Sequence, residues 1–456
     1  MSADPVRRRA LALLEAVENG GHLDAQLDDA LAELRAGGAE ARDAAFLAEL
    51  VRGTLQWRLR YDHLVRRYAR RNPPTDLRLL CLLRLSLHQL VALDQVPPFA
   101  AVHQAGELCK AAVSPRLTGF VNGVLQAARR ELRPDETTGP DQRASRLAAA
   151  FGDLEAGSPA WLAAWHAHPR WLVDRWVRRF GAEATDALLA FNNRPVSPAF
   201  HVLAPHDPAA AADDLAAAGC PVDALGDGRT LVCRERPPRA LIASLLQARP
   251  WLLVQDPAVQ QATGWLMEGI DGAGLPVLDL CAAPGGKTRR LAAAWPGSQV
   301  LVAADHRAPR LRLLVEAAGR IDARPVAVVA ADGTAPPFRA GAFGVVLLDG
   351  PCSGTGVLRH HPDGRLQLKK GAAANNGRLL QELARQAADL LAPGGVLLYA
   401  TCSLEPEENE QVLDRLLGAG VPLAPRPAAD GAWRRTWLPG EAQGDGFFAA
   451  RLVRTA

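Results

Sequence analysis

Lysine is scarce in this chain. Among 52 basic residues the lysines are Lys110, Lys287, Lys369 and Lys370, so arginine is the default cation and Lys287, in a Gly-Gly-Lys loop, stands out. Long apolar runs are also missing. No stretch approaches the roughly 18 residues that cross a bilayer. The opening "MSADPVRRRALALLEAVENGG" lacks an apolar core followed by a small-residue cleavage site, so no processing signal is expected there. Cysteine is sparse and irregular: seven residues, an odd number without regular spacing, exclude a disulfide framework. A CxxC pair is absent as well, so zinc is not expected. These absences predict a reduced, cytoplasmic, monomeric protein that uses neither membrane nor metal and whose thiols are free for chemistry.

What is present is 456 residues, 48% hydrophobic and 22% charged, enough for two or three domains. The net charge of +3 is modest but uneven, because seven arginines and a single acid, Asp62, lie between Val51 and Arg71. Such a patch suits a polyanion, and it is equally what a solvated helix face looks like. Residues 1–135 read as about five helices, among them "PVRRRALALLEAVENGG", "DAAFLAELVRGTLQWRLRYDHLVRRYA" and "DLRLLCLLRLSLHQLVAL", the last with Thr75 as expected N-cap. The polar "RPDETTGPDQ" is a linker. Residues 158–254 mix a Trp-rich helical start with strand-like "PAFHVLA" and "TLVCRE", a small α+β subdomain. From 255 to 456 strand, turn and helix alternate, which predicts a Rossmann-like, mostly parallel α/β sheet.

In such sheets ligands bind beyond the carboxyl ends of the strands. Those ends carry Asp279, Asp305, Asp332 and Asp349. The loop Cys281-Ala282-Ala283-Pro284-Gly285-Gly286-Lys287 follows the first of them, and its glycines let a ligand approach a helix N-terminus. Asp305 has the spacing of a ribose-binding acid, and Asp332 suits an amino group such as adenine's. A P-loop needs glycine at position 281, where cysteine stands. The GxGxxG of nicotinamide enzymes is absent, which disfavours an oxidoreductase. S-adenosylmethionine, a nucleoside without pyrophosphate, remains as the expected cofactor. Two cysteines enter the same crevice, Cys352 just after the strand that ends in Asp349 and Cys402 after a fifth strand. A thiolate adding to C6 of a pyrimidine makes C5 nucleophilic enough to take a methyl group. Asp349 is placed to donate at N3. The residues alone leave open which thiol attacks.

The motifs "VLDLCAAPGGKT", "LLDGPCSGTGVLRHHPD", "YATCSLEPEENE" and "GDGFFAARL" resemble the RNA cytosine-5 methyltransferases of the NOL1/NOP2/Sun family. "ELVRGTLQWRLRYDHLV" and "GFVNGVLQAARR" are similar to the NusB-like RNA-binding domain of one bacterial branch, which acts on 16S ribosomal RNA. The resemblance spans nearly the whole chain. It implies that Cys402 attacks C6 and Cys352 helps release the product. It implies binding of S-adenosylmethionine by the 281–287 loop with Asp305, Asp332 and Asp349, and an RNA partner. Two departures stand out. Gly350 replaces the family's alanine, with little effect expected. Gly364-Arg365-Leu366 replaces an apolar-Lys-Trp run, in a segment expected to contact the target or order a nearby loop. The alternatives are a transfer RNA cytosine-5 methyltransferase and a non-catalytic RNA-binding, antitermination-like factor. Intact cysteines and aspartates disfavour the latter.

Overall fold

The computed structural model describes residues 3–135, 137–272, 274–297, 299–319 and 326–455. The chain divides into two compact units, Met1–Asn193 with His361–Gln367, and Arg194–His360 with Leu368–Ala456. The sequence-based breaks near 135, 158 and 254 do not coincide with that boundary. Among the described residues no helix is long and apolar enough to cross a membrane.

The first unit is helical: α1 Pro5–Glu18, α2 Leu23–Ala36, α3 Ala41–Gln56, α4 Arg58–Tyr68, α5 Leu77–Ala92, α6 Pro98–Ala112, α7 Thr118–Leu132, α8 Pro140–Ala149, α9 Pro159–Trp165, α10 Arg170–Phe180 and α11 Ala182–Phe191. More helices than the expected five precede Leu132, because α2 is a separate element and the third and fourth are divided at Trp57. The α5 cap is also one residue later than expected. Asp76, not Thr75, takes the extended conformation, and its carboxylate accepts from the Leu79 amide at 2.8 Å. Helix α5 is the hub. Leu79, Leu82, Leu83, Leu85, Leu87 and Leu90 are buried on several of its faces, and α1, α3, α4, α6 and α7 pack around it.

The arginine patch is mostly spent inside this unit. Arg58 pairs with Glu18 at 2.6 Å, Arg67 with Glu131 at 2.7 Å and Arg52 with Asp24 at 2.8 Å. Arg60 lies 3.8 Å from the Trp57 ring centroid and 4.6 Å from that of Trp165, and donates to the Trp165 carbonyl. Arg66, Arg70 and Arg71 are the exposed remainder. The divergent 364–366 segment belongs to this unit too. Arg365 is 1% exposed and donates to Asn193 Oδ1 at 2.7 Å and to the Asn192 carbonyl. Asp363 accepts from the Leu23 amide at 3.3 Å. Buried in this way, Arg365 does not serve as a contact to a target.

The second unit opens with a small antiparallel sheet of β1 Ala199–Val202, β2 Val222–Ala224, β3 Thr230–Cys233 and β4 Leu252–Val254, in order β2-β3-β1-β4. Helices α12 Pro208–Ala217 and α13 Arg239–Ala248 close a core around Phe200, Leu215, Leu231 and Leu245. After α14 Pro257–Met267 comes the main sheet: β5 Pro276–Asp279, β6 Val300–Asp305, β7 Val326–Ala330, β8 Phe343–Asp349, β9 Leu391–Thr401, β10 Leu423–Pro425, β11 Arg434–Trp437 and β13 Phe447–Arg454, with β12 Pro439–Ala442 outside it. Its order is β10-β13-β9-β8-β5-β6-β7, with β11 also on β13. Strands β7, β6, β5, β8 and β9 run parallel, and β13 is antiparallel to β9. Alternation along β8 sends Val345 and Leu347 to the face covered by α14 and by α15 Gly286–Ala294. Val346 and Leu348 face the helices Ala372–Leu390 and Glu410–Gly418. Chain order reverses at β5, whose next strand in sequence lies on one side and β8 on the other. That switch point opens a crevice at the strand ends.

Candidate active site at the strand ends

Asp279 ends β5, is 1% exposed, and accepts from Thr288 Oγ1 at 2.7 Å through Oδ2. Its Oδ1 is buried without a partner. Burial drives its carboxyl up to about 7, with Asp349 and Asp305 adding to the rise. The 281–287 loop then turns into α15 through Gly285 at φ 102°. A side chain there would be strained, and its Cβ would lie 2.7 Å from Ala317 Cβ on the helix Ala308–Ala318, which is α16. Gly286 has no such neighbour; the nearest atoms to an added Cβ lie at 3.8 Å. The loop is tied to β6 by the Ala282 amide on the Ala304 carbonyl, 2.9 Å, and by the Ala283 amide on Asp305 Oδ2, 3.2 Å.

Asp305 is 4% exposed, and its other oxygen accepts the Arg307 amide at 3.0 Å. Each carboxylate oxygen thus keeps a lone pair for a further donor. Asp332 is exposed beyond β7. Its Oδ1 takes the amide and hydroxyl of Thr334 at 2.9 and 2.7 Å, which lower its carboxyl. Cys281 is partly exposed, and burial in the company of Asp279 and Asp305 holds its thiol protonated. The acids, the left-handed glycine and the first amides of α15 fit a nucleoside with free hydroxyl and amino groups.

Two further strands complete the crevice. Asp349, at the end of β8, accepts from Lys287 Nζ at 2.5 Å. Burial opposes the lysine's charge, but Asp349 outweighs it and Cys402 adds to the effect, so the ammonium is held above its ordinary value. The same Nζ lies 5.1 Å from the Phe447 ring centroid. Cys352 and Cys402 are both partly exposed, with their sulfurs 3.2 Å apart. The hydrogen bond between them, then burial, push the Cys352 thiol well up, and the Glu408 carboxylate contributes. Lys287 thus lies on the Cys402 side of the sulfur pair and Glu408 on the Cys352 side.

The backbone locks the two cysteine loops together. The Gly356 amide meets the Cys402 carbonyl at 2.9 Å, and the Gly446 amide meets the Gly356 carbonyl at 2.8 Å. A Cβ at Gly356 would collide with the Gly446 carbonyl. Gly350, the departure from the family's alanine, sits against Leu380, whose Cδ2 fills the space an added methyl would take. Sequence reasoning missed the supports. Arg359 pairs with Asp445 at 3.2 Å and Asp256 at 3.4 Å, and His360 with Asp445 at 2.6 Å. Asp256, His360 and Asp445 have the spacing of a metal site, yet the guanidinium between the two carboxylates already supplies the positive charge. Glu408 was missed as well. Its signal was the repeated Cys-Ser dipeptide, at 352–353 and 402–403, with a Glu-rich segment beside it.

Residues 272–453 match the family model for the 16S rRNA methyltransferase RsmB/F, and residues 4–130 match that for the NusB family. The chain is 31% identical over 424 residues to ribosomal RNA small subunit methyltransferase B of Klebsiella pneumoniae (strain 342), covering 91% of this chain and 90% of the relative. The chain belongs to the ribosomal RNA small subunit methyltransferase B family. A probable member from Bacillus subtilis (strain 168) is 28% identical, covering 82% of this chain and 79% of the relative. Among solved structures, PH0851 aligns over 99% of both chains with a TM-score of 0.74 at 21% identity, which shows a shared fold. NSun6 from Pyrococcus horikoshii with SFG aligns with a TM-score of 0.52 at 16% identity, over 62% of this chain and 97% of that one. The chain is thus an RNA methyltransferase of this family, with a NusB domain and a mixed-sheet catalytic domain.

Proposed function

We propose that the chain transfers a methyl group from S-adenosylmethionine to C5 of a cytosine in 16S ribosomal RNA through a covalent Cys402–C6 intermediate. The observation that carries this reading is the sulfur pair at 3.2 Å beside the Lys287–Asp349 ion pair. S-adenosylmethionine, bound against Asp305, Asp332 and the 281–287 loop, supplies an electrophilic methyl group. Cys402, next to the Lys287 charge, gives the thiolate that bonds to C6. As electron density moves to the N3 edge, Asp349 passes there a proton drawn from the Lys287 ammonium, its ion-pair partner, and takes it back as the product forms. C5, now enamine-like, takes the methyl. A base then removes the C5 proton, the C6–sulfur bond breaks and Cys402 leaves as thiolate. Cys352, its sulfur 3.2 Å from that of Cys402, assists this release by hydrogen-bonding to the departing sulfur. The NusB domain and the ribosomal relatives support a ribosomal target.

Cys402→Ala is expected to abolish methyl transfer and any covalent complex. Cys352→Ala should still attack and methylate, then stall as a protein–RNA adduct that survives denaturing electrophoresis. The opposite pattern would exchange the two roles. Activity retained in Cys402→Ala, with no adduct in any variant, would sink covalent catalysis by this residue. Bisulfite sequencing of ribosomal and transfer RNA from a deletion strain identifies the target class.

A further inference from the structure

The two Cys-Ser dipeptides converge on one buried carboxylate. Glu408 is 0% exposed and stands in the segment after β9. Its Oε1 accepts the Ser353 amide at 2.7 Å and Asn376 Nδ2 at 2.8 Å. Its Oε2 accepts Ser353 Oγ at 2.6 Å and Ser403 Oγ. The two hydroxyls are themselves 3.3 Å apart. One side chain therefore grips the residue after each catalytic cysteine. The grip is itself anchored. Tyr399, on β9, donates its hydroxyl to the Glu408 carbonyl at 2.5 Å. Asn409 holds Thr401 Oγ1 at 2.6 Å and the Ser403 carbonyl at 2.8 Å. A buried carboxylate with four donors is fully engaged, and removing it strands all of them.

We propose that Glu408 is a positioning residue that ties the Pro-Cys loop to the Thr-Cys-Ser loop and so sets the spacing of Cys352 and Cys402. The inference rests on the covalent reading above for its catalytic consequence, but the spacing itself is testable without it. Ser353 is one bond from the Cys352 residue and reaches the carboxylate through backbone and side chain, so loss of Glu408 frees that loop first. Displacements of about 1 Å at reacting groups can cost on the order of 100-fold in rate.

A comparison of Glu408→Gln with Glu408→Ala separates geometry from charge. Glutamine keeps an acceptor for the Ser353 amide and Asn376, and its NH2 can face the two serine hydroxyls, which turn to accept. Alanine keeps none of this. In the full-length protein, two readouts apply. The first is the rate at which diamide, a thiol oxidant that is reduced to its hydrazine, joins the two thiols as a disulfide. Peptide mapping must separate this pair from Cys220 and Cys233, whose sulfurs are 3.6 Å apart. The second is single-turnover methyl transfer with KM for RNA. Glu408→Ala is expected to slow both disulfide formation and transfer by about 10- to 100-fold, with KM within about threefold. Glu408→Gln should stay within about threefold of wild type in both. Ser353→Ala, which removes one spoke and keeps the backbone link, serves if the alanine variant does not fold, and should slow disulfide formation by about threefold. Unchanged disulfide formation in Glu408→Ala, or in Ser353→Ala where that variant is used, would overturn the proposal. So would a glutamine variant as impaired as the alanine one. Failure of the covalent reading shows elsewhere, as activity in Cys402→Ala, and leaves the disulfide readout intact.

Discussion

The two units treat buried charge in opposite ways. In the helical unit Arg84 is nearly inaccessible, with Glu18 at 3.0 Å and Asp62 at 2.6 Å, while Arg58 shares Glu18 at 2.6 Å. Two cations meet two anions, and the cluster is neutral. The crevice of the second unit gathers Asp279, Asp305 and Asp349 around one ammonium, Lys287, which pairs with Asp349. Its charges do not cancel. Structure alone gives no reason to collect acids there, since uncompensated buried carboxylates destabilise a fold. A balanced cluster marks packing and an unbalanced one marks a site awaiting donors. The same contrast separates Arg60, sandwiched between Trp57 and Trp165, from the exposed Arg66 and Arg70.

The largest effect is expected where the balance is broken by hand. Arg84→Ala leaves Asp62 and half of Glu18 buried without a cation. Unfolding by urea should show a loss of about 3–5 kcal/mol. If the loss stays below about 1 kcal/mol, the cluster is solvated and the contrast between the units fails. In the crevice, Asp305→Ala should cost less stability, about 1–2 kcal/mol for the Ala283 and Arg307 amides left without their acceptor, but lose about 2–3 kcal/mol in cofactor binding, roughly 30- to 150-fold in Kd. Calorimetry with S-adenosylmethionine checks this, and an unchanged Kd would remove Asp305 from the cofactor site.

Asp279 sharpens the comparison through pH. Its carboxyl titrates near 7 in the folded chain, against about 4 when unfolded. Between those values the folded state binds the extra proton. Stability from this group is therefore full below about pH 4 and is lost as pH rises towards 7. Asp279→Asn keeps an acceptor for Thr288 and has no proton to lose. Its Tm relative to wild type should rise from pH 5 to about pH 7 and level off above that. A pH-independent difference would mean that Asp279 is ionised throughout.

Much of the catalytic sheet was legible because its strands are continuous apolar runs ending in an acid, as in "FGVVLLD" and "VLVAAD". These two runs are buried on both faces, so hydrophobicity alone marks them, and the loop after each is where ligands bind. The crevice acids and both cysteines followed from those ends. What stayed hidden depends on distant partners. Glu408 meets Ser353 across 55 positions, and Arg60 meets Trp165 across 105. No local pattern encodes such pairings. The break at Trp57 was hidden for another reason: neither glycine nor proline marks it, and the helical pattern runs straight through. The segment that holds Arg365 departs from the family pattern and was expected to contact the target or order a nearby loop. The partners of Arg365, Asn192 and Asn193, lie far back in the chain.

The smallest effect on stability is expected at Arg66 and Arg70, and it tests what remains of the basic patch. Both are exposed, unlike Arg58, which burial and its neighbour Arg84 weaken as a base and which Glu18 already holds. Replacing exposed side chains away from any network changes stability by about 0.5 kcal/mol or less. RNA binding is read differently. Each phosphate contact releases counterions, so the slope of log affinity against log salt counts the contacts, at roughly 0.7 per phosphate for single strands. The double variant Arg66→Ala with Arg70→Ala, in the full-length protein, should keep the wild-type Tm and lower that slope by about 1 to 1.5 when titrated with ribosomal RNA fragments. Arg58→Ala should do the opposite, lowering Tm with the slope unchanged. If the double variant keeps the wild-type slope, phosphate is met by another surface, and the exposed arginines are only a solvated helix face.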